Sequence, residues 1–377
     1  MDYEDYKGFC SAYCRLARYP RLVAGLLSVT QMQVLDANLY GAALPGSDCT
    51  PKTLLTVANL SVCLSTPRQA DAPILRNLTF DIAPGEVLGL VGESGSGKTT
   101  TALALMRMLP RMAKVSQGKI EFGGVNLLSI SSRRLRNIRG GDLSIIFQDA
   151  NVLNPVMRAG DQVMEVLRAH RPASKRQMRD EICELFVKLG LSDCDRVYNA
   201  YPHQLSGGQC RRVAIAQALI CRPRLVVADE PTAWCDDTTT GDILDAIKQL
   251  KNDYGTSVLL ISHDFAVIKE IADRLLVMYA GQIVESAPVA ALLDRPVHPY
   301  TRALLACARS FETTELAERD VRTFPCIPGS APQLSEVACG CAFASRCADR
   351  TTVCELNNPE LINISDDRSV RCLIHGR

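Results

Sequence analysis

The chain has 377 residues and carries 42 Lys+Arg against 41 Asp+Glu, a near balance that removes any basic excess able to steer the whole molecule to nucleic acid or anionic lipid. Its length suits one large α/β domain with additions. No run reaches the roughly 18 consecutive apolar residues of a membrane-spanning helix, because the apolar-leaning N-terminal region is cut by Gln31, Gln33 and Asp36.

Residues 1–52 show no sustained periodicity and end in the turn-rich Pro45-Gly46-Ser47-Asp48. They read as an extension outside the core, or as a translation start placed upstream of an internal Met32. The apolar run 22–29 after Arg18 and Arg21 has signal-peptide character, against which the chemistry of the loops below argues.

From Thr53 the pattern changes. Residues 54–57 and 75–82 predict strands, Pro84-Gly85 a turn, and residues 87–91 a buried strand that runs into a glycine-rich loop. A helix is expected from Lys98 to about Leu109, stopped by Pro110. Residues 165–220 read as mainly helical, with Met178, Ile182, Leu185, Phe186 and Leu189 on one apolar face. Strands return at 225–228, 257–261 and 275–279, and Ile243, Leu244, Ile247 and Leu250 stripe a helix between the first two. Apolar strands alternating with helices predict a parallel sheet covered on both faces.

Three segments carry chemistry. Gly92-Glu93-Ser94-Gly95-Ser96-Gly97-Lys98-Thr99, continued by Thr100, fits G-x-x-x-x-G-K-[ST] between a predicted strand and a predicted helix. Its glycines let backbone amides curl around phosphates, Lys98 reaches the β- and γ-phosphates, and the Thr99 hydroxyl suits Mg²⁺. The strand 225–228 ends in Asp229-Glu230, where Asp229 suits the metal and Glu230 a general base. Leu205-Ser206-Gly207-Gly208-Gln209 opens a helix with Arg211 and Arg212, forming a second anion-binding terminus. One nucleotide does not need two such loops from one subunit, so Ser206, Gly207, Gly208 and Gln209 are expected to serve an ATP held by another chain.

In this order and spacing the segments resemble the ABC ATPases. The resemblance implies an α/β P-loop NTPase fold with a RecA-like parallel-sheet core, an antiparallel β subdomain and a helical subdomain over residues 53–290. It also assigns Gln148, after Phe147, as a lid glutamine contacting Mg²⁺ and the attacking water, and His263 as a switch histidine sensing the γ-phosphate. The sequence departs from the family at Ala233-Trp234-Cys235-Asp236, which keeps only the final Asp of the usual Ser-Ala-Leu-Asp, and at Cys63-Leu64, where relatives often place an adenine-stacking ring.

His298-Pro299-Tyr300-Thr301, Ile327-Pro328-Gly329-Ser330-Ala331-Pro332 and Gly340-Cys341-Ala342-Phe343-Ala344-Ser345-Arg346-Cys347 are similar to the ATPase subunits of oligopeptide and dipeptide importers. The resemblance implies a C-terminal extension over residues 291–377 and a peptide importer, with nickel, opine, glutathione or sugar importers as alternatives. It implies as partners a sister ATPase, two transmembrane permease subunits and an extracytoplasmic solute-binding protein, and a peripheral place on the cytoplasmic face of the membrane. Nucleic acid is not an expected partner. A soluble ABC ATPase acting on DNA or ribosomes is the competing class, but neither inserted coiled coils nor a second ATPase domain is present. An idle ATPase serving a metal-sensing module is the third reading, opposed by the intact Lys98, Asp229, Glu230 and His263.

The chain has sixteen cysteines, and Cys341, Cys347, Cys354 and Cys372 crowd near its end. The segment after Pro325 has few large apolar residues, so a metal centre on these four is expected to clamp it. Zinc and a [4Fe-4S] cluster both stay open by spacing, and the importer resemblance tilts toward iron and sulfur. Cys339 is a neighbour able to substitute, and Cys183, Cys221 and Cys307 are expected to be small buried hydrophobes.

Overall fold

The computed structural model describes residues 53–66, 69–149, 152–233, 235–312, 326–330, 332 and 339–375, so the N-terminal extension and Trp234 lie outside the described residues. Thr53–Arg377 forms one compact unit.

Two sheets organise it. In the first, β1 (Leu55–Thr66) pairs antiparallel with β2 (Gln69–Ile82) and, on its other side, with β4 (Ala113–Phe122), and β5 (Val125–Asn126) completes the order β2-β1-β4-β5. The second has a parallel core of β6 (Leu143–Ile146), β7 (Leu225–Asp229), β8 (Ser257–Ile261), β3 (Val87–Val91) and β9 (Arg274–Tyr279), in that spatial order. Every residue of β3, β7 and β8 is buried, which is why these strands read as unbroken apolar runs instead of alternating ones. Antiparallel β10 (Gln282–Pro288), β12 (Arg368–Val370) and β11 (Ile362–Ser365) extend the sheet beyond β9, bringing the end of the chain into it.

The helices are α1 (Lys98–Leu105), α2 (Ser132–Ile138), α3 (Ala159–His170), α4 (Lys175–Lys188), α5 (Cys194–Asn199), α6 (Gly207–Leu219), α7 (Asp237–Tyr254), α8 (Phe265–Ile271), α9 (Val289–Asp294), α10 (Pro299–Glu312) and α11 (Thr352–Leu356). Helix α1 stops a turn before the expected Leu109. Arg107 turns to φ 50° after it, and its guanidinium donates to the carbonyls of Leu127 and Ile130. The expected helical stretch resolves into α3–α6, and Met178, Ile182, Phe186 and Leu189 are buried as the periodicity requires. Cys183 is not a lone buried hydrophobe: it forms a disulfide with Cys194, joining α4 to α5. Their Cα atoms lie 5.4 Å apart, a separation that helix packing creates and sequence spacing does not reveal.

Candidate nucleotide-binding and hydrolysis site

Because β3 lies between β8 and β9 and β7 follows β8, three segments leave the same carboxyl edge of neighbouring parallel strands. They are the loop after β3, the acidic pair at the end of β7 and the histidine after β8. This edge is where open α/β sheets place ligands.

A Cβ on Gly92 would sit 2.2 Å from the Met278 carbonyl oxygen, and one on Gly97 2.7 Å from Leu75. Both glycines have positive φ, so β9 and β2 press on the loop where no side chain fits. Ser94, Gly95 and Thr99 are exposed, whereas Ser96 is buried with a hydroxyl that has no hydrogen-bond partner among the described residues. Thr100 is half-buried in the first turn of α1. Lys98 Nζ donates to the carbonyls of Gly92 (2.7 Å) and Glu93 (3.0 Å), arching over the loop. Burial lowers its pKa, opposed by the nearby charges of Glu230, Asp229 and Glu93.

Asp229 is buried, and desolvation pushes its carboxyl up to about 6 against the lowering influence of the Thr99 hydroxyl, Lys98 and Arg211. Its Oδ1 is buried without a hydrogen-bond partner among the described residues. A desolvated carboxylate oxygen beside a threonine hydroxyl is the donor set a hard cation such as Mg²⁺ takes, so Asp229 and Thr99 fit the ion that ATP brings. Bound there, Mg²⁺ would neutralise phosphate charge.

Glu230 is buried, and its backbone adopts φ 51°, a left-handed conformation that a residue with a Cβ seldom takes and that concentrates at functional sites. Two bonds hold it there: its amide donates to the Ile261 carbonyl (2.9 Å), and its carbonyl accepts from Arg211 Nη2 (2.5 Å). Its Oε2 lies 2.6 Å from Nδ1 of the exposed His263.

Arg211 is the residue that sequence reasoning left without a role. Only 3% exposed, it donates to four backbone carbonyls: Phe147 (2.6 Å), Gln148 (2.9 Å), Glu230 (2.5 Å) and Pro231 (3.0 Å). It ties helix α6 to both the Phe147-Gln148 segment and the acidic pair. In the sequence it was legible only as a basic residue beside another. Gln148 itself has an exposed side chain above this grip.

At the signature loop, Ser206 Oγ accepts from the Gln209 amide (3.2 Å) and Gln209 Oε1 accepts from the Ser206 amide (3.1 Å), a capping box that starts α6. Gly207 and Gly208 are exposed, with nothing within 4 Å of a Cβ on Gly207 and only the Thr239 hydroxyl, at 3.9 Å, near one on Gly208. Among the described residues nothing requires glycine at these two positions.

Cys341, Cys347, Cys354 and Cys372 are all free thiols close enough that their charges raise the pKa of Cys341 and Cys347, on top of the larger effect of burial. Among the described residues, however, no group of three or more His, Cys, Asp or Glu is arranged to hold a metal ion. Neutral thiols attract one another weakly, and here the backbone sets their positions, with the Cys341 amide donating to the Cys354 carbonyl (2.7 Å) and the His375 amide to Cys372 Sγ (3.4 Å).

Comparison with known proteins agrees with this geometry. Residues 75–233 match the family described as "ABC transporter", and residues 284–354 match "Oligopeptide/dipeptide transporter, C-terminal region". A Brucella ovis protein named as a peptide import ATP-binding protein is 39% identical over 328 residues, covering 85% of this chain and 96% of the relative. A similarly named Brucella abortus protein is 39% identical over 320 residues, covering 85% and 94%. The dimeric ATP-binding cassette MJ0796, solved in a post-hydrolysis state with ADP and Pi, aligns with TM-score 0.57 and 26% identity, covering 62% of this chain and 98% of that one. The fold and site define an ABC-type ATPase. The chain belongs to the ATP-binding subunits of ABC transporters, in the oligopeptide/dipeptide group. Among the described residues no helix is long and apolar enough to cross a membrane.

Proposed function

We propose that this chain is the motor of a peptide importer, working at the cytoplasmic face of the membrane beneath two permease subunits supplied by an extracytoplasmic binding protein. Residues 53–290 act as the motor and 291–377 as its importer-type extension. The observation that carries the reading is the open glycine face of the signature loop on a chain that also holds a phosphate loop and a buried Glu230. Glycine is dispensable there unless a partner's nucleotide packs against it. Two cassettes then enclose two ATP molecules, each between Lys98 of one subunit and the signature loop of the other, and a sister ATPase is the expected partner. Within each site Gly92 to Thr100 hold the phosphates, Thr99, Asp229 and Gln148 would hold Mg²⁺, which would neutralise phosphate charge, Glu230 takes the proton of the attacking water, and His263 orients Glu230 and the γ-phosphate. Co-expression with the permeases and sister ATPase, followed by reconstitution, tests the reading. ATP hydrolysis should be stimulated by peptide-loaded binding protein, with peptide accumulating in the vesicles. A complex that hydrolyses ATP but moves no di- or oligopeptide overturns the substrate assignment.

The proximity of the four C-terminal thiols supports a second element of this reading, a [4Fe-4S] cluster or zinc drawing them together as thiolates. Anaerobic purification with metal, sulfide and visible-absorption analysis tests it. Freely alkylated thiols without iron or zinc would remove it.

A further inference from the structure

Glu93 occupies a variable position of the phosphate loop, yet both its side chain and its amide are taken by the C-terminal extension. Arg346 forks its carboxylate, Nη1 to Oε2 at 2.7 Å and Nη2 to Oε1 at 3.0 Å. The Glu93 amide donates to the Tyr300 hydroxyl at 2.9 Å. These partners stand 253 and 207 residues away in sequence, and their side chains are almost wholly enclosed.

The grip is itself anchored. Tyr300 and Phe343 pack on Tyr279 at the end of β9, with ring centroids 4.6 and 5.2 Å away, and Arg346 also donates to the Tyr279 hydroxyl (3.3 Å) and the Pro328 carbonyl (2.8 Å). Farther along, the fully buried Glu285 on β10 accepts from the amides of Val297 and His298 and from Arg368. The extension is thus fixed both to the sheet and to the phosphate loop.

We propose that the C-terminal extension braces the phosphate loop, with Tyr300 and Arg346 as positioning residues for ATP binding that act through Glu93. Two physical effects combine. A loop with glycines in left-handed conformations at Gly92, Gly95 and Gly97 loses much backbone freedom on closing around phosphates, and a loop held in shape beforehand loses less. In addition, Arg346 neutralises a carboxylate that would otherwise repel the anionic phosphates. The inference rests on the reading that the Lys98 loop holds ATP.

Fluorescent-ATP titration of the full chain, with hydrolysis by the assembled transporter, tests it. Arg346→Gln should weaken ATP binding about tenfold and raise KM far more than it lowers kcat, as expected when the competent loop shape falls to about a tenth of the population. Adding Glu93→Gln should recover part of that loss, because the unpaired carboxylate is gone. Tyr300→Phe keeps the ring packing and removes only the acceptor, and should raise KM about threefold by the same population argument. Wild-type affinity in folded Arg346→Gln, or strictly additive effects with Glu93→Gln, overturns the brace. If Arg346→Gln fails to fold, Tyr300→Phe decides alone, and wild-type KM in that variant overturns the proposal. Lys98→Ala separates the two readings: should it still bind ATP normally, the site assignment fails, whatever the brace does.

Discussion

His263 Nδ1 and Glu230 Oε2 lie 2.6 Å apart, joining the end of β8 to the end of β7 across the carboxyl edge of the sheet. A carboxylate only accepts, so the contact assigns an imidazole proton to Nδ1. Glu230→Gln keeps the shape but removes the base. Turnover should fall at least about a hundredfold, the usual worth of general-base catalysis, while ATP binding persists. Single-turnover hydrolysis beside nucleotide titration measures both, and hydrolysis at the wild-type rate would take the base role from Glu230.

Because Gly207 and Gly208 face open space, Gly208→Val should leave ATP binding by the isolated chain unchanged and shift folding stability by less than about 1 kcal/mol. In the assembled transporter it should stop hydrolysis at the partner's phosphate loop. Loss of ATP binding by the isolated chain would show that the signature loop acts in cis.

Arg211→Met removes the guanidinium that spans the four carbonyls of Phe147, Gln148, Glu230 and Pro231. Buried hydrogen bonds from a charged group are worth about 1.5–3 kcal/mol, and several are lost at once, so we expect destabilisation of about 3 kcal/mol. Hydrolysis should drop more than ATP affinity, because the left-handed Glu230 loses one of its two restraints while the phosphate loop keeps its own. Urea unfolding and a kcat against KM comparison check the two halves.

Burial pushes the His298 imidazole down to about 3 from its ordinary 6.5. Its Nδ1 accepts from the Tyr300 amide, which requires the neutral ring. Between those two pH values the unfolded chain binds a proton that the folded chain refuses, so stability is full above about pH 6.5 and declines as pH falls toward 3. The loss at pH 5 should be about 2 kcal/mol from this group. Urea midpoints for the wild type and His298→Asn at both pH values measure it, and a wild-type curve as flat as the variant's would refute it.

Local pattern determined a great deal about this protein. The apolar runs at β3, β7 and β8 and the stripe on α7 follow from burial periodicity, and the phosphate loop, Asp229-Glu230 and the signature loop follow from residue chemistry at short spacing. Such features are legible because each lies within one or two turns of chain. Tertiary structure alone decided what those residues touch. The Cys183–Cys194 disulfide, the four-carbonyl grip of Arg211 and the bond from Arg346 to Glu93 join segments whose separations, 11, up to 64 and 253 residues, carry no periodic signal. The disulfide arises because helix packing brings α4 against α5, and the two arginine contacts because a buried guanidinium must find acceptors wherever the packed structure offers them.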